Sequence, residues 1–241
     1  NAALRKRGGE VCIELAKALD LSSPDSPWHA QRDSIIEFAN WLSMTAGQLG
    51  KVGKDLMLLS QNEINEISIS NPGKSSTMPN KENPVLFETL VSLAAFCRNN
   101  ADLIEQTALT SHERDGVCMQ IERLALPPLI CAASASIVRA SDCLKNMSVN
   151  MDAIQKNVTA DQGLIMAEGA VFSLMNFTTR EEAAALVSQA CQSCVANKSH
   201  MIDELKSLSN FDLDWDSLKD LKNHLGDAQQ IVEEVIHKHH N

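Results

Sequence analysis

The chain has 241 residues, of which 44% are hydrophobic and 22% charged, and this composition excludes an intrinsically disordered protein. Its formal net charge of −10 argues against a nucleic-acid-binding surface, which needs clustered Lys and Arg. One or two globular domains are expected at this length.

Cysteine and histidine usage predicts a protein without a metal site. Seven cysteines, an odd number spread from Cys12 to Cys194, are typical of free thiols in a cytoplasmic protein. The pair Cys191 and Cys194 has a spacing that can bind zinc, but it lies in an alanine-rich helical pattern with no second Cys/His pair at ligand spacing. The terminal run 237–240 contains three histidines and is interpreted as a solvated end. No secretory signal is evident, and the longest uncharged run, 124–138, is too short to cross a bilayer.

Helical periodicity dominates the first half of the chain. A first helix is predicted over 11–19, with its apolar residues on one face, and a core helix over 86–104. Between them lies the longest pattern, in which large apolar residues and small residues each keep a seven-residue repeat. The large residues are Ile35, Leu42, Leu49 and Leu56, and the small ones are Ala39, Ala46 and Gly53. Such a pattern is typical of the seam of a helix bundle, and we expect this seam to face another copy of the chain.

The remaining long pattern is interrupted by two prolines. Pro127 and Pro128 are expected to bend or begin a helix, and a further helix is predicted over 133–144. No sustained period-two alternation is present, so no sheet is predicted. The sequence therefore predicts an all-α protein, with a long-helix bundle over 1–146 and a smaller helical domain over 147–241.

Local capping signals mark the helices of the second domain. Asp161 is predicted to cap one helix, and Thr179 with Glu182 forms a capping box that opens the next. Two more helices are predicted over 216–223 and 227–237.

A loop over 72–84 separates two of the core patterns. One glycine and three prolines exclude regular helix there, and the loop carries hydroxyl, ammonium and amide groups that can hold an anion. Composition alone favours an exposed linker, because Ser, Asn, Lys, Gly and Pro are the ordinary residues of such loops. The order of residues is the more specific signal: it reads Ser75-Ser76-x-Met78-Pro79-x-Lys81-x-Asn83-Pro84.

That order resembles the signature of the fumarase/aspartase superfamily, Gly-Ser-Ser-x-Met-Pro-x-Lys-x-Asn-Pro, except that Lys74 replaces the usual glycine. A second segment, Pro27-Trp28-His29-x-x-Arg32-Asp33, is similar to the 3-carboxy-cis,cis-muconate cycloisomerase branch. Segments 113–115 and 122–124 also resemble adenylosuccinate lyases, and 161–168 with 180–183 resembles the C-terminal region of the cycloisomerases.

The resemblance implies that Ser75 is the general base and that Lys81 and Asn83 bind the substrate carboxylate, with Ser76 and Met78 beside them. Serine can act as a base only if loop closure surrounds it with N–H groups and positive charge. Lys74, if it points inward, would favour the alkoxide.

The resemblance also supplies candidates outside the loop. Arg32, Arg114 and Arg123 are candidate substrate anchors, because guanidinium groups bind carboxylates through two donors, although each could instead form an ion pair. His29 and His112 could each be a general acid, because histidine titrates closest to neutrality, and His29 is also a substrate-binding candidate. For His112 a structural or rim position is preferred, and the general acid is expected in an earlier segment that this chain lacks.

The implied function is that of a cycloisomerase that reversibly closes a carboxymuconate to its lactone, without metal or organic cofactor, as a cytoplasmic homotetramer built through the central helices. One alternative is adenylosuccinate-type C–N cleavage, and another is a non-catalytic oligomeric scaffold. The absence of an initiator Met, and a first helix that starts almost at once, suggest a fragment. The resemblance implies that this fragment lacks the N-terminal domain and the first central helices, and we expect it to be inactive because much of the pocket comes from the missing segment.

Overall fold

The structure is a computed structural model that describes residues 2–69, 73–74 and 82–239. The chain divides into two compact units, Asn1–Val149 (unit 1) and Asn150–Asn241 (unit 2). The predicted domain boundary after residue 146 lies three residues before this division.

Unit 1 contains four helices and four very short strands among the described residues. They are α1 (Gly8–Ala18), α2 (Asp33–Leu59), β1 (Ile67–Ile69), β2 (Gly73–Lys74), β3 (Glu82–Asn83), α3 (Val85–Glu105), α4 (Gly116–Asn146) and β4 (Met147–Val149). Unit 2 contains six helices in its described part. They are α5 (Met151–Ala160), α6 (Ala167–Leu174), α7 (Arg180–Asn197), α8 (Met201–Leu208), α9 (Trp215–Lys219) and α10 (Ala228–His239). The all-α prediction is confirmed.

Helices α2, α3 and α4 form the core of unit 1. The seven-residue pattern of α2 lies inside this core: Leu42, Ala46 and Leu56 are buried against residues of α3 and α4. Gly53 is buried where α2 approaches α3, and a Cβ added there would lie 2.7 Å from the Cβ of Leu90. The expectation that this seam faces another copy is therefore wrong, because α3 and α4 of the same chain already cover it.

The two prolines do not interrupt α4, which runs as one helix past them. Pro127 is exposed, so water can bind the carbonyl group that loses its N–H partner. By length and composition alone, α4 could also cross a membrane. One face of this helix, with Leu129, Ala133 and Ser136, is buried within unit 1.

The first helix departs from its predicted packing. Helix α1 forms at the expected place, but Val11, Leu15 and Leu19 are 49%, 56% and 59% exposed. Within the described residues, this apolar face is uncovered.

Four short strands form where no sheet was predicted. Strands β1 and β4 pair antiparallel, with Ile67 opposite Val149, and join the end of α2 to the end of α4. Strands β2 and β3 pair with Gly73 opposite Asn83. Strands of two or three residues are too short to show a periodic pattern in sequence.

Unit 2 has its own core, in which α6, α7 and α8 bury their apolar faces. The predicted capping box is present: Glu182 N–H donates to Thr179 Oγ1, and Thr179 N–H donates to Glu182. Asp161 accepts hydrogen bonds from the N–H groups of Gly163 and Ile165, and so caps the short 3-10 turn that precedes α6. The helix predicted over 216–223 is split into α9 and a 3-10 turn, Leu221–His224.

Candidate functional site

The signature loop joins the end of the α2 segment to the start of α3. Its base is a two-residue strand pair, in which Lys74 lies opposite Glu82 and Gly73 opposite Asn83. Helix α3 begins directly after this pair, at Val85, and its first turn is closed by a hydrogen bond from Phe87 N–H to Pro84 O. Phe87 is fully buried in the unit 1 core. The two ends of the loop are thus adjacent, and one of them is anchored to the core.

Of the candidates in this loop, Asn83 belongs to the described residues and is partly buried. Ser75, Ser76, Met78 and Lys81 lie outside the described residues. Their predicted roles remain predictions.

Arg32 lies at the start of α2 and is only 8% exposed. Its Nε donates to Glu122 Oε1 and its Nη2 to Glu122 Oε2, so the carboxylate of α4 holds the guanidinium through both oxygens. Its Nη1 donates to the carbonyl oxygen of Trp28 at 3.3 Å. In this structure Arg32 therefore forms an ion pair and is not a free substrate anchor, because three of its nitrogens already donate hydrogen bonds.

The same guanidinium connects Glu122 to the segment that carries His29. The Arg32 Cζ atom lies 5.5 Å from the ring centroid of Trp28, within the range of a cation–π contact. The Trp28 and His29 rings are stacked, with centroids 5.6 Å apart and planes within 5°. Thr110 Oγ1 also donates to Ala30 O at 3.1 Å. The exposed imidazole of His29 is therefore carried on a segment fixed to α4 and to the turn before it.

A cleft of about 380 Å³ lies beside His29 and Trp28 in unit 1. Helix α1 forms one wall and the segment from Ser23 to His29 forms the other. The cleft offers hydroxyl, thiol and imidazole groups at its surface. These come from Ser23, Ser26, Cys12 and His29.

Arg114 and Arg123 are both exposed, and within the described part of the chain neither forms an ion pair. Arg114 precedes Asp115, which caps α4 by accepting hydrogen bonds from the N–H groups of Val117 and Cys118. Asp115 also accepts from Ser111 N–H, and these backbone donors lower the pKa of its carboxyl group. Arg114 is thus attached to a fixed helix start.

His112 lies in the turn before α4, with a left-handed backbone (φ 52°), and its side chain is exposed. Arg123 follows Glu122 on α4. Successive helical residues point about 100° apart, so Glu122 faces Arg32 while Arg123 faces solvent.

Glu122 is the functional-site residue that sequence reasoning missed. It appeared only as part of a resembling segment, and nothing in a single sequence connects it to Arg32, which is 90 positions away. An acidic residue one position from a candidate arginine was the available signal, but it could not identify the partner.

The Cys191–Cys194 pair lies in α7, where packing and hydrogen bonding occupy the Cys194 thiol. Cys194 is buried, and its thiol donates to Ser199 O at 3.0 Å. Burial raises the pKa of both thiols, which disfavours the thiolate that binds metals. No group of three potential metal ligands occurs among residues 2–69, 73–74 and 82–239.

Comparisons with known proteins match two parts of the chain to lyase families. A family model described as "Lyase" matches residues 5–97, and one described as "Adenylosuccinate lyase C-terminus" matches residues 163–235. The chain belongs to the fumarase/aspartase superfamily.

Within that superfamily, the chain is similar to 3-carboxy-cis,cis-muconate cycloisomerases. It is 33% identical to that enzyme of Pseudomonas aeruginosa, over 99% of this chain and 54% of the relative. It is 36% identical to that of Pseudomonas putida, over 83% of this chain and 48% of the relative. The crystal structure of the 3-carboxy-cis,cis-muconate lactonizing enzyme from Pseudomonas putida matches with a TM-score of 0.86 and 31% identity, over 99% of this chain and 54% of that one. The chain thus spans about half the length of the curated relatives that it matches.

Proposed function

We propose that the protein is a 3-carboxy-cis,cis-muconate cycloisomerase, which reversibly closes a carboxymuconate, a small polycarboxylate, to its lactone. The observation that carries the proposal is the signature loop between β2 and β3. Its ends are paired, and it joins two segments of the unit 1 core. Similarity to enzymes of that name extends over 99% of the chain and adds support.

The proposed chemistry is addition next to a carboxylate. In lactonisation, one substrate carboxylate forms a C–O bond to one carbon of the alkene. The alkene electrons move to the other carbon, which lies next to a second carboxylate, and this carbon is then protonated. In the reverse direction, Ser75 removes that proton as general base. Lys81 and Asn83 stabilise the negative charge that develops on the carboxylate oxygens, and Ser76 and Met78 contact the substrate.

The three candidate arginines have two different roles in this proposal. Arg114 and Arg123 are exposed and without ion pairs in the described part of unit 1, so their guanidinium groups are available to anchor substrate carboxylates. Arg32 acts through the segment that it fixes, because Glu122 and Trp28 occupy its donors. His29 contacts the substrate from that segment.

Adenylosuccinate-type C–N cleavage is the second candidate. The match of residues 163–235 to the adenylosuccinate lyase C-terminal family favours it. The two activities use the same superfamily loop and differ in the bond that is broken, so a direct test of both substrates separates them.

The test is an absorbance assay of the protein at its natural full length, with carboxymuconate and with adenylosuccinate as substrates. We expect turnover of carboxymuconate and a loss of at least about a hundredfold in kcat for Ser75→Ala, with unchanged assembly. Turnover of adenylosuccinate alone would establish the second candidate. No turnover of either substrate would support the third possibility, a non-catalytic scaffold.

The structure offers a different surface for association from the one predicted. Exposed apolar residues on α4 follow a seven-residue register in two rows. Val117, Leu124 and Val138 lie in one row, with Cys131 at the position between the last two, and Ile130, Ile137 and Leu144 lie in the other. A seven-residue repeat keeps an apolar stripe facing a partner helix. We therefore propose a homo-oligomer, a tetramer, formed through this face of α4.

The seven cysteines are all free in the structure. Free thiols are typical of a reducing compartment, and this supports the proposal that the protein acts in the cytoplasm.

A further inference from the structure

Unit 2 contains a second cleft, of about 440 Å³, that the proposed function does not use. Its walls come from α5, from the turn at Gly163, from His200 and from the segment that joins α9 to the following 3-10 turn. The charged residues that line it are Lys219, Asp220 and Lys222. Its charged lining is thus positive by one, although the chain has a net charge of −10.

The wall that carries His200 is built around a glycine. Gly163 has a left-handed backbone (φ 86°), and a Cβ added there would lie 2.4 Å from Cε1 and 2.6 Å from Nε2 of His200. Any other residue would therefore displace the imidazole. Gln162, next to it, is also left-handed (φ 57°), and its carbonyl oxygen accepts a hydrogen bond from Met201 N–H at 2.9 Å. These contacts fix the turn at Gly163 against the start of α8.

The hydrogen bond to Nδ1 determines which ring nitrogen of His200 carries the proton. Its Nδ1 accepts a hydrogen bond from Ile202 N–H at 3.2 Å, so the proton of the neutral ring is on Nε2. Burial lowers the pKa of His200, Lys219 lowers it further, and Asp203 and Asp161 oppose this shift. Within the described part of the chain, Nε2–H has no hydrogen-bond acceptor.

The facing wall supplies ammonium groups. Lys219 Nζ donates to both carboxylate oxygens of Asp203, at 2.7 and 2.9 Å, which leaves one of its three N–H groups for another acceptor. Lys222 is exposed, and its ammonium has no ion pair among the described residues. The carboxylate of Asp220 accepts from the backbone N–H of Lys222 at 3.0 Å, so one of its oxygens is already directed at the backbone.

We propose that this cleft binds a small anion through a carboxylate or phosphate group. One oxygen of the anion accepts from His200 Nε2–H, and another lies beside the ammonium groups of Lys219 and Lys222. An oxyanion suits the site because the cleft is lined by His200, whose neutral ring has an N–H donor, and by two lysines. A group with two or more acceptor oxygens can use these donors together.

The test is isothermal titration calorimetry of the full-length protein with inorganic phosphate and, separately, with succinate, at constant ionic strength. The His200→Asn variant removes the Nε2 donor and keeps a residue type that caps helices well, so α8 remains capped. The Lys222→Gln variant removes one exposed charge. We expect each to weaken binding of the preferred anion about five- to tenfold, as for loss of one charge-assisted hydrogen bond.

Lys206→Gln is the matched control, because Lys206 is an exposed lysine of α8 that does not line the cleft. It should leave the affinity unchanged. If the two variants lose affinity for phosphate alone, the cleft recognises a phosphate group. If they lose affinity for succinate alone, it recognises a carboxylate group. Equal affinities for the parent, His200→Asn and Lys222→Gln proteins would overturn the proposal, and so would no detectable binding of either anion. His200 and Lys222 take no part in the proposed catalysis, so the kcat of their variants should stay unchanged while anion binding weakens. Measuring both quantities separates failure here from failure of the proposed catalysis.

Discussion

Arg32 and Glu122 show how one residue pair can fix a candidate site. Both side chains are nearly closed to solvent, with 7% and 13% of their surfaces exposed. Removing one partner of such a pair leaves the other charge uncompensated, and this costs about 3 kcal/mol or more. We therefore expect Glu122→Ala to lower the free energy of unfolding by about that amount, measured by urea denaturation of the full-length protein.

The Arg98–Asp102 pair provides the control, because its side chains are 76% and 56% exposed. Asp102→Ala should change the free energy of unfolding by less than about 1 kcal/mol. If Glu122→Ala and Asp102→Ala lowered the free energy of unfolding equally, the Arg32–Glu122 pair would stabilise the fold no more than an exposed ion pair does.

Asp115 predicts an acid dependence of stability. Three backbone N–H groups hold the pKa of its carboxyl group below the ordinary value, so the charged form is favoured in the folded state. Its contribution is present above the unfolded-state pKa and is lost as the pH falls through the folded-state pKa. Asparagine at position 115 can still cap α4 but has no carboxyl group to protonate. We therefore expect the Tm of Asp115→Asn to fall less than that of the parent protein as the pH is lowered below about 5. Identical acid slopes would contradict this explanation.

At the scale of elements, the approach of α2 to α3 depends on a glycine. A Cβ at position 53 would lie 2.7 Å from Leu90 Cβ and 2.9 Å from Phe87 O, and one of these is backbone. Alanine favours helix over glycine by about 1 kcal/mol, but overpacking costs about 1–3 kcal/mol. We expect Gly53→Ala to lower Tm, measured by circular dichroism.

Gly47 lies in the same helix, and a Cβ there would meet nothing within 4 Å. Gly47→Ala should therefore raise stability by up to about 1 kcal/mol through helix propensity alone. If both variants shifted Tm in the same direction, the close approach would not govern the packing of α2 on α3.

The helices that sequence predicted well are those with signals inside a few turns. The seven-residue repeat of α2 and the Thr179–Glu182 box are local patterns, and both elements form where expected. Pro127 and Pro128, which were expected to bend or begin a helix, lie inside α4, because an exposed helix face can leave a carbonyl to water. The site divides in the same way: a residue order could indicate the signature loop, whereas the Arg32–Glu122 pair depends on packing of distant segments.

The direction in which a helix faces was also beyond the sequence. The pattern of α2 showed an apolar seam but not which chain covers it, and the covering helices belong to the same chain.

For the whole molecule, the uncovered face of α4 is the more informative surface. Six large apolar side chains stand on it, each 38–77% exposed. Exposed apolar surface of this extent in a row is typical of an interface.

This face predicts association that one charge can weaken. Ile137 is 54% exposed and lies within the α4 rows, so Ile137→Asp should leave the unit 1 core intact and place a carboxylate in the interface. We expect the dissociation constant of the oligomer to rise at least about tenfold, equivalent to about 1.4 kcal/mol, measured by sedimentation velocity on the full-length protein.

Ser207→Asp adds the same charge to an exposed position of α8 and should leave the sedimentation coefficient unchanged. Circular dichroism should show the same helix content for both variants, because neither side chain contributes to a buried core. An Ile137→Asp protein with the parent mass at every concentration would place the interface elsewhere. The exposed apolar residues of α1 would then be the next surface to test, because Val11, Leu15 and Leu19 are likewise uncovered in the described part of the chain.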